Sequence, residues 1–170
     1  MARVFLMTED GREITLTLMK GSAKPTFLCL CTKGVGIEFM DTTKVALLSI
    51  DELLREAGSD PKNLHCIMQQ IYKYFEQYQL KIEDLAFRSV EARLARQLVL
   101  LAERFRASNS AAGVMIELNL TQDNLASLIS ASRPSVNIAI NKLRQQGLIL
   151  MHDGKIVIPS VELLKAAALI

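Results

Sequence analysis

The pattern of apolar residues changes from strand-like to helix-like near residue 60. Apolar and polar positions alternate through residues 3–19 on both sides of Asp10-Gly11, and an Asp-Gly pair between alternating runs is a strong hairpin signal. Shorter apolar runs, separated by glycines and a proline, follow at 25–31, 35–40 and 44–50. The first 60 residues are therefore predicted to form a β-rich module.

A long helix with a heptad seam is predicted after Pro61. Apolar residues recur at alternating steps of four and three, which is typical of a coiled-coil seam. These seam residues are Leu64, Met68, Ile71, Phe75, Tyr78, Ile82 and Leu85. Ile67 and Tyr74 widen the stripe, so part of the helix is expected to pack on its own β module. We predict a dimerisation helix at 61–86; the alternative is a core helix of a monomer.

A second amphipathic helix is predicted from Arg88 to Arg106. Its inward positions are Val90, Leu94, Leu98 and Leu101. Its outward positions, interpreted as a solvated face, are Arg93, Arg96, Arg104 and Arg106. The sequence ASNSAAG at 107–113 breaks the periodicity and is predicted to be a loop prone to disorder.

Two short helices joined by a tight corner are predicted after Leu120. Thr121 and Ser132 are favourable N-caps for the first and second helix, and Pro134 falls in the first turn of the second, where it removes no helical hydrogen bond. The buried stripe of the second helix is expected to be Val136, Ala139, Ile140 and Leu143. Gly147 ends this helix, and Asp153-Gly154 between apolar runs predicts a two-stranded wing.

The outer face of the second helix carries side chains that suit the edges of DNA bases. Arginine can bond a guanine edge with two donors, asparagine can pair with an adenine edge, and an apolar group can contact a thymine methyl. The candidate base contacts are Ser132, Arg133, Ser135, Asn137, Ile138 and Asn141. The candidate phosphate contacts are Thr121, Gln122, Lys142 and Lys155. A helical pair without any DNA contact is the alternative interpretation.

The amino-acid composition excludes several classes of protein but does not by itself indicate a function. The net charge is only +2, with a mildly acidic front and a mildly basic remainder, so bulk charge does not demand a nucleic acid. Cys29 and Cys31 could be a redox pair or half a metal site, but strand alternation favours a half-buried strand, and no cysteine or histidine cluster has metal-site spacing. No apolar run reaches the roughly 20 residues that span a bilayer. A protein of the reducing cytoplasm is expected, with no metal and no membrane partner.

The second half of the chain resembles CRP/FNR-type bacterial transcription regulators. The resemblance rests on "LTQDNLASLISASRPSVNIAINKLRQQGLI" with the wing "HDGKIVIPSVELL", and it extends back through "LAFRSVEARLARQLVLLAERF" to the long helix. It reaches the hairpin "LMTEDGREITLTLM" more faintly. The resemblance implies an α+β fold with a partial cupin-like β-roll at 1–60, a dimerisation helix at 61–86 and a winged helix-turn-helix domain at 87–170.

The resemblance also implies a partner and a mode of action. It implies a homodimer that binds double-stranded DNA at a palindromic operator, with RNA polymerase as a candidate further partner. Ser132 and Arg133 match the serine and arginine of the family's recognition helix. Pro134 stands where many members have glutamate, and Ile138 where they often have a second arginine, so the half-site is expected to differ. Ser130 replaces a glycine of the turn, where backbone strain is expected.

The front of the chain departs further from the family. Cyclic-nucleotide-binding members use a glycine-glutamate pair for the ribose and an arginine-serine pair for the phosphate, and "GSAKPTFLCLCTKGVGIEF" at 21–39 has neither. The amino-terminal cysteines of the iron–sulfur sensors are also missing. No cofactor is predicted: neither a cyclic nucleotide, nor haem, nor an iron–sulfur cluster. The effector stays unassigned, and the β-roll is either shortened or continues upstream.

Two functions from different classes remain, together with a third that the sequence disfavours. The leading hypothesis is a sequence-specific DNA-binding transcription regulator. The alternative is a sensor or interaction protein whose winged helix binds another protein, since a fold alone does not decide function. An enzyme is not expected, because no nucleophile has a histidine partner and the acidic pairs Glu83-Asp84 and Asp51-Glu52 point apart on a helix.

Overall fold

The computed structural model describes residues 2–19, 34–104, 106–110, 113–116, 118 and 121–169, without the side chains of residues 104 and 106–110. The chain divides into two compact units. The first comprises Met1–Arg12 and Leu16–Ile82, and the second comprises Glu13–Thr15 and Glu83–Ile170. The predictions for a strand at 25–31 and for Cys29 and Cys31 lie outside the described residues.

A three-stranded sheet with the order β2-β1-β3 opens the chain. Its strands are β1 (Ala2–Met7), β2 (Glu13–Met19) and β3 (Val35–Phe39), and β3 runs antiparallel to β1. The turn between β1 and β2 is closed by a bond of 2.9 Å from Gly11 N to Thr8 O. Gly11 has a φ of +80°, a conformation that glycine adopts at no steric cost. The predicted hairpin and the predicted strand at 35–40 are therefore confirmed.

The predicted strand at 44–50 is wrong. Residues 42–49 have no regular structure, and helix α1 (Ile50–Ser59) follows. Ser49 and Glu52 form a capping box: the Ser49 Oγ accepts from Glu52 N at 3.2 Å, and Glu52 Oε2 accepts from Ser49 N at 2.7 Å. The Ser49 hydroxyl also donates to Glu52 Oε2 at 2.8 Å, and the hydrogen bonds from the Ser49 backbone N–H and hydroxyl lower the pKa of the Glu52 carboxyl. The cap fixes a helix start that the short apolar run did not reveal.

Helix α2 (Pro61–Phe87) is a single helix of 27 residues, as predicted from its heptad pattern. No residue of α2 is buried. The seven seam side chains are exposed by between 37% (Tyr78) and 66% (Ile82), whereas Ile67 and Tyr74 are half-buried. Burial raises the pKa of both the Tyr74 and the Tyr78 phenol. The described residues of the same chain thus leave the seam uncovered, which disfavours a core helix of a monomer.

The second unit surrounds helix α3 (Val90–Arg104) with helices and a four-stranded sheet of order β4-β5-β7-β6. Its remaining elements are β4 (Arg106–Ser110), β5 (Gly113–Ile116), α4 (Gln122–Ile129), α5 (Arg133–Gln145), β6 (Leu150–His152), β7 (Lys155–Ile158) and α6 (Val161–Ala167). Leu94, Leu98 and Leu101 of α3 are fully buried, and α3 packs on α4, α5 and α6. The predicted inward stripe of α3 is confirmed at these three leucines.

The predicted loop at 107–113 is wrong, because β4 and β5 form an antiparallel pair there. Strand β5 also pairs with β7, with Val114 opposite Ile158. Gly113 has a φ of +123°, and a Cβ at this position would lie 2.2 Å from Ile158 O. Strand β4 has a sequence of low strand propensity and is stabilised by its pairing with β5, which the local pattern does not reveal.

The interpretation of the α3 arginines as a solvated face is also wrong at Arg93 and Arg96. Arg93 Nη1 donates to the carbonyls of Ile129 and Ser130 at 2.7 and 3.2 Å, and Arg96 Nη1 lies 3.4 Å from Asp84 Oδ1. The helix begins at Val90 rather than Arg88, because the Ser89 Oγ accepts from Ala92 N at 3.1 Å. The side chains of Arg104 and Arg106 lie outside the described residues.

The described part of the chain offers neither a membrane span nor a metal cluster. None of the described helices has both the length and the apolar character needed to cross a membrane. No group of three or more histidine, cysteine, aspartate or glutamate side chains is placed to hold a metal ion, again among the described residues. Cys66 of α2 is an exposed free thiol.

Candidate DNA-binding interface

A capping box starts helix α4. The Thr121 Oγ1 accepts from Asn124 N at 3.1 Å, and Asn124 Oδ1 accepts from Thr121 N at 3.0 Å. The prediction that Thr121 is the N-cap is therefore confirmed, and Asn124, which was not predicted, completes the capping box. Leu125, Leu128 and Ile129 are buried, as expected from the sequence. The cap thus engages the backbone N–H groups of Thr121 and Asn124, and Gln122 and Asp123 project from the first turn between them.

The corner between α4 and α5 depends on a left-handed residue. Ser130 has φ 53° and ψ 55°, and its N–H bonds the carbonyls of Ala126 and Ser127 at the end of α4. It adopts the conformation that a glycine would adopt more easily, which agrees with the expected strain at this position. Its Oγ is buried without a hydrogen-bond partner among the described residues. Arg93 holds the Ser130 carbonyl from α3 and so stabilises the corner.

Both ends of helix α5 are capped. The Ser132 Oγ accepts from Ser135 N at 3.3 Å and lies 2.8 Å from Ser135 Oγ, and Pro134 occupies the first turn. At the other end, Leu148 N bonds Leu143 O at 2.9 Å and Gly147 N bonds Arg144 O at 3.0 Å. This pair of bonds, with Gly147 at φ +71°, is a Schellman motif. The buried side of α5 holds Val136, Ala139 and Leu143 as predicted, whereas Ile140 is half-buried.

The structure brings most of the predicted base contacts together on the outer face of α5. Arg133, Ile138 and Asn141 are exposed, with 63% of the Arg133 side chain and 62% of Ile138 open to solvent, and Asn137 is half-buried. The hydroxyls of Ser132 and Ser135 bond each other. In the structure these two predicted base contacts are therefore part of the cap of α5. The helix presents a guanidinium, two amides and an apolar side chain within its first three turns.

Arg133 is held by two side chains of α4. Its Nε donates to Gln122 Oε1 at 3.2 Å, and its Nη1 lies 3.8 Å from Asp123 Oδ2. Both contacts are exposed to solvent, so neither ion pair nor hydrogen bond adds much stability. The sequence did not indicate this arrangement, because Gln122 and Arg133 are 11 positions apart and meet only through the geometry of the corner.

The predicted phosphate contacts divide into two groups. Thr121 and Gln122 lie at the start of α4, and Lys155 opens β7 at the tip of the wing. Lys142 instead lies beside α3, with its Nζ 3.2 Å from Glu91 Oε2. Gln146 Nε2 also donates to Glu91, at 3.2 Å. The structure therefore does not bring Lys142 to the face that carries Arg133 and Asn141.

A groove of about 650 Å³ lies between the second half of α5 and the wing. Its walls are Asn141, Arg144, Gln145, Ile149, Leu150, Met151, His152 and Val157. Arg144 and His152 are its cationic or ionisable groups, and His152 Nδ1 lies 3.2 Å from Asp153 Oδ2. Asp153 and Gly154 have φ values of 49° and 76°, which fits the type I′ turn that an Asp-Gly pair favours. The sequence did not indicate this groove.

Comparisons with known proteins match this geometry. Residues 92–167 match the Crp-like helix-turn-helix domain. A CRP-like cAMP-activated global transcriptional regulator of Mycobacterium tuberculosis is 30% identical over 162 residues, which cover 94% of this chain and 72% of that protein. The chain belongs to the CRP/FNR family of bacterial transcription regulators. A global nitrogen regulator of Nostoc is 28% identical over 155 residues, covering 88% of this chain and 69% of that protein.

Solved structures of other proteins have the same fold. A mutant of CooA from Carboxydothermus hydrogenoformans superposes with a TM-score of 0.79 at 20% identity, covering 98% of this chain and 74% of that one. FixK2 from Bradyrhizobium japonicum gives a TM-score of 0.75 at 16% identity, covering 98% and 82%. The predicted α+β class and carboxy-terminal helix-turn-helix are confirmed. As a CRP/FNR-family member, the chain is a DNA-binding transcription regulator and not an enzyme.

Proposed function

We propose that this CRP/FNR-family protein acts as a homodimer that binds a palindromic operator with one α5 helix in each half-site. The supporting observation is the outer face of α5, where Arg133, Ile138 and Asn141 project into solvent from a helix capped at both ends. A rigid helix that exposes such side chains fits the major groove of B-form DNA. Dimerisation follows from the uncovered seam of α2.

The proposed base contacts divide by chemistry. Arg133 bonds a guanine edge, Asn137 and Asn141 bond adenine edges, and Ile138 contacts a thymine methyl. The side chains of Ser132 and Ser135 let the start of α5 lie close to the major groove of the DNA. Their hydroxyls, which also form the cap of α5, can contact the bases there. Pro134 and Ile138 stand where many family members have a glutamate and a second arginine. The helix therefore has no carboxylate to accept from cytosine at the first position and no second arginine to bond guanine at the other. We therefore expect a half-site with a single guanine fixed by Arg133.

The proposed backbone contacts flank these positions. Thr121 and Gln122 meet phosphate at the start of α4, where free amides favour anions, and Lys155 meets it from the wing. Lys142 reaches a phosphate only by leaving Glu91, and an exposed ion pair of this kind is worth at most about 1 kcal/mol. The domain assignment stays that of the sequence: a sensor-like β module at 1–60, a dimerisation helix at 61–86 and a winged domain at 87–170.

We propose that the protein works in the cytoplasm without a cyclic nucleotide, haem or iron–sulfur cluster. The relative from Mycobacterium tuberculosis is named as cAMP-activated, so an effector in this family is expected in general. In this chain, residues 21–39 have neither the glycine-glutamate nor the arginine-serine pair with which family members bind a cyclic nucleotide. A different effector, and contact with RNA polymerase, are compatible with this proposal.

The proposal is tested by sequencing the genomic fragments that the purified protein retains at two salt concentrations. We expect an inverted repeat and an affinity that falls steeply with salt, because each neutralised phosphate releases counterions. Arg133→Ala should weaken operator binding by about 1–3 kcal/mol and relax one base position in each half-site. Arg12→Ala removes an arginine of the β1–β2 turn that is even more exposed than Arg133, and it should leave the motif unchanged.

A different result would favour the second candidate. If recovery is independent of salt, yields no motif and is the same for Arg133→Ala, the winged unit does not read DNA. The apolar Ile138 beside Pro134 on α5 would then favour a protein partner for this face.

A further inference from the structure

The side chains around Arg133 assign roles to two residues of α4. We propose that Gln122 positions Arg133 for end-on contact with guanine, and that Asp123 prevents Arg133 from binding backbone phosphate instead. Together they make a guanine-selective reader from an arginine that would otherwise bind any nearby anion. This inference rests on the proposed function and deepens it at one base position.

Gln122 determines which edge of the guanidinium is free. Arginine has five N–H donors in a rigid planar fork. Gln122 Oε1 accepts from Nε at 3.2 Å and so occupies the side edge of that fork. The end edge, formed by Nη1 and Nη2, then stays available for the O6 and N7 acceptors of guanine. The bond also restricts a long side chain that is 63% exposed, so less rotational freedom is lost when DNA binds.

Asp123 has an electrostatic effect. Its Oδ2 lies 3.8 Å from Arg133 Nη1, and 70% of its side chain is exposed. A carboxylate in the first turn of α4 offsets part of the attraction that the free amides of the helix start exert on phosphates. Its attraction for Arg133 is weak in water, so a guanine edge can replace it. Asp123 thereby lowers affinity for DNA of any sequence and raises the preference for the operator.

A purely helical role for Asp123 makes a different prediction. An acidic residue in a first turn stabilises the helix through its dipole, and that effect would change folding stability without changing base preference. Base preference and salt dependence therefore distinguish the two roles, whereas a loss of affinity alone would not.

The experiment measures base preference at every half-site position with a randomised operator library, at two salt concentrations. The variants are Gln122→Met, which keeps the size but removes the acceptor, Gln122→Glu, which keeps an oxygen acceptor, and Asp123→Asn. Arg133→Ala identifies the guanine position. Glu162→Gln is the matched control, since it removes one exposed carboxylate from α6. Circular dichroism establishes that each variant is folded.

We expect Gln122→Met to reduce the preference for guanine at the Arg133 position about tenfold, and Gln122→Glu to retain it. Asp123→Asn should raise binding to unrelated DNA several-fold and steepen the salt slope by about one. Glu162→Gln should leave the base preference at this position as in the wild type. In the Arg133→Ala background, none of the three α4 substitutions should alter base preference at this position any further.

Two results would overturn the inference while operator recognition stands. One is a wild-type motif that Arg133→Ala changes and Gln122→Met does not. The other is an unchanged ratio of operator to unrelated-DNA binding in Asp123→Asn. If the wild-type protein selects no motif at all, the proposed function itself fails, and the two failures are thus distinguishable.

Discussion

Ser130 has a backbone conformation that is sterically unfavourable for a residue with a side chain. It is left-handed at the corner of the two DNA-binding helices, and its Oγ is buried without a described partner. Ser130→Gly should raise the free energy of unfolding by about 1 kcal/mol, because glycine relieves the steric cost of this conformation at a smaller entropic cost. Urea denaturation measures the change.

Ser130→Ala separates the two causes at this position. It removes the hydroxyl and keeps the Cβ, so any gain it gives comes from the unpaired Oγ alone. A Ser130→Gly protein less stable than the wild type would show that the serine hydroxyl contributes a contact that outweighs the strain.

Arg93 is the counterpart of Ser130 on α3. Its guanidinium donates to the carbonyls of Ile129 and Ser130 at the end of α4. A positive charge at this end of a helix also interacts favourably with the helix dipole. Arg93→Ala should lower the free energy of unfolding by about 2–3 kcal/mol, since two charge-assisted bonds are lost and two carbonyls lose their partner. Guanidinium denaturation measures this loss.

Two variants control the Arg93 prediction. Arg93→Lys should recover part of the stability through one ammonium contact, and Arg133→Ala should have the stability of the wild type because its contacts are exposed. Equal stability of Arg93→Ala and the wild type would mean that the corner does not need this support.

At the scale of elements, periodicity predicted the long helices, and turn residues predicted the hairpin and the wing, whereas both missed α1 and β4. The heptad pattern of α2 and the caps Thr121 and Ser132 lie in the sequence itself, and the structure has them where they were expected. The apolar run at 44–50 fits a strand or a helix equally, and the Ser49–Glu52 capping box was the overlooked signal. Strand β4 had no such signal, because its pairing with the neighbouring strand β5 stabilises it rather than its own sequence.

The sheet of the second unit should depend strongly on Gly113. A Cβ there would lie 2.2 Å from Ile158 O, at a φ that side chains rarely adopt. Gly113→Ala should therefore lower the free energy of unfolding by about 2 kcal/mol or more, by separating β5 from β7. Differential scanning calorimetry reports the change as a lower Tm.

Gly11→Ala is the matched control for Gly113. Gly11 also has a positive φ, but a Cβ added there would meet no atom within 4 Å, so its replacement should cost only about 1 kcal/mol. If both variants lose the same stability, the approach of Ile158 contributes nothing beyond backbone strain.

At the scale of the whole molecule, the sequence predicted the class and the DNA-binding unit better than the detail of the site. Arg133 follows from residue type and helix position, which the recognition motif fixes. Its contacts with Gln122 and Asp123 do not, because side chains 10 and 11 positions apart meet only once α3 and the corner are packed. The prediction for Arg93 fails for the same reason. Helix periodicity gives the direction in which its side chain points, but not the carbonyls of Ile129 and Ser130 that it contacts there.

The seam of α2 should control the association of two copies. Phe75 is 65% exposed in the single chain and occupies the centre of the heptad pattern. Phe75→Glu should raise the dimer Kd at least about 100-fold, because two carboxylates would face each other across a desolvated seam. Sedimentation velocity at several protein concentrations measures this.

Lys73→Glu is the control for the seam. It changes the charge by more than Phe75→Glu does, but Lys73 lies off the seam on the same helix. Its Kd should stay within about threefold of the wild type. A wild-type protein that is monomeric at micromolar concentration, or a Phe75→Glu protein as dimeric as the wild type, would contradict the proposed dimer.

The α2 seam and the α5 recognition face are formed by different residues on different helices, which has a consequence for genetics. A copy with Arg133→Ala keeps the whole seam, so it would pair with normal copies in a cell that makes both. With equal amounts of each, only about a quarter of the pairs would carry two working recognition helices. Alleles damaged in α5 should therefore be dominant, whereas alleles damaged in the seam of α2 should be recessive.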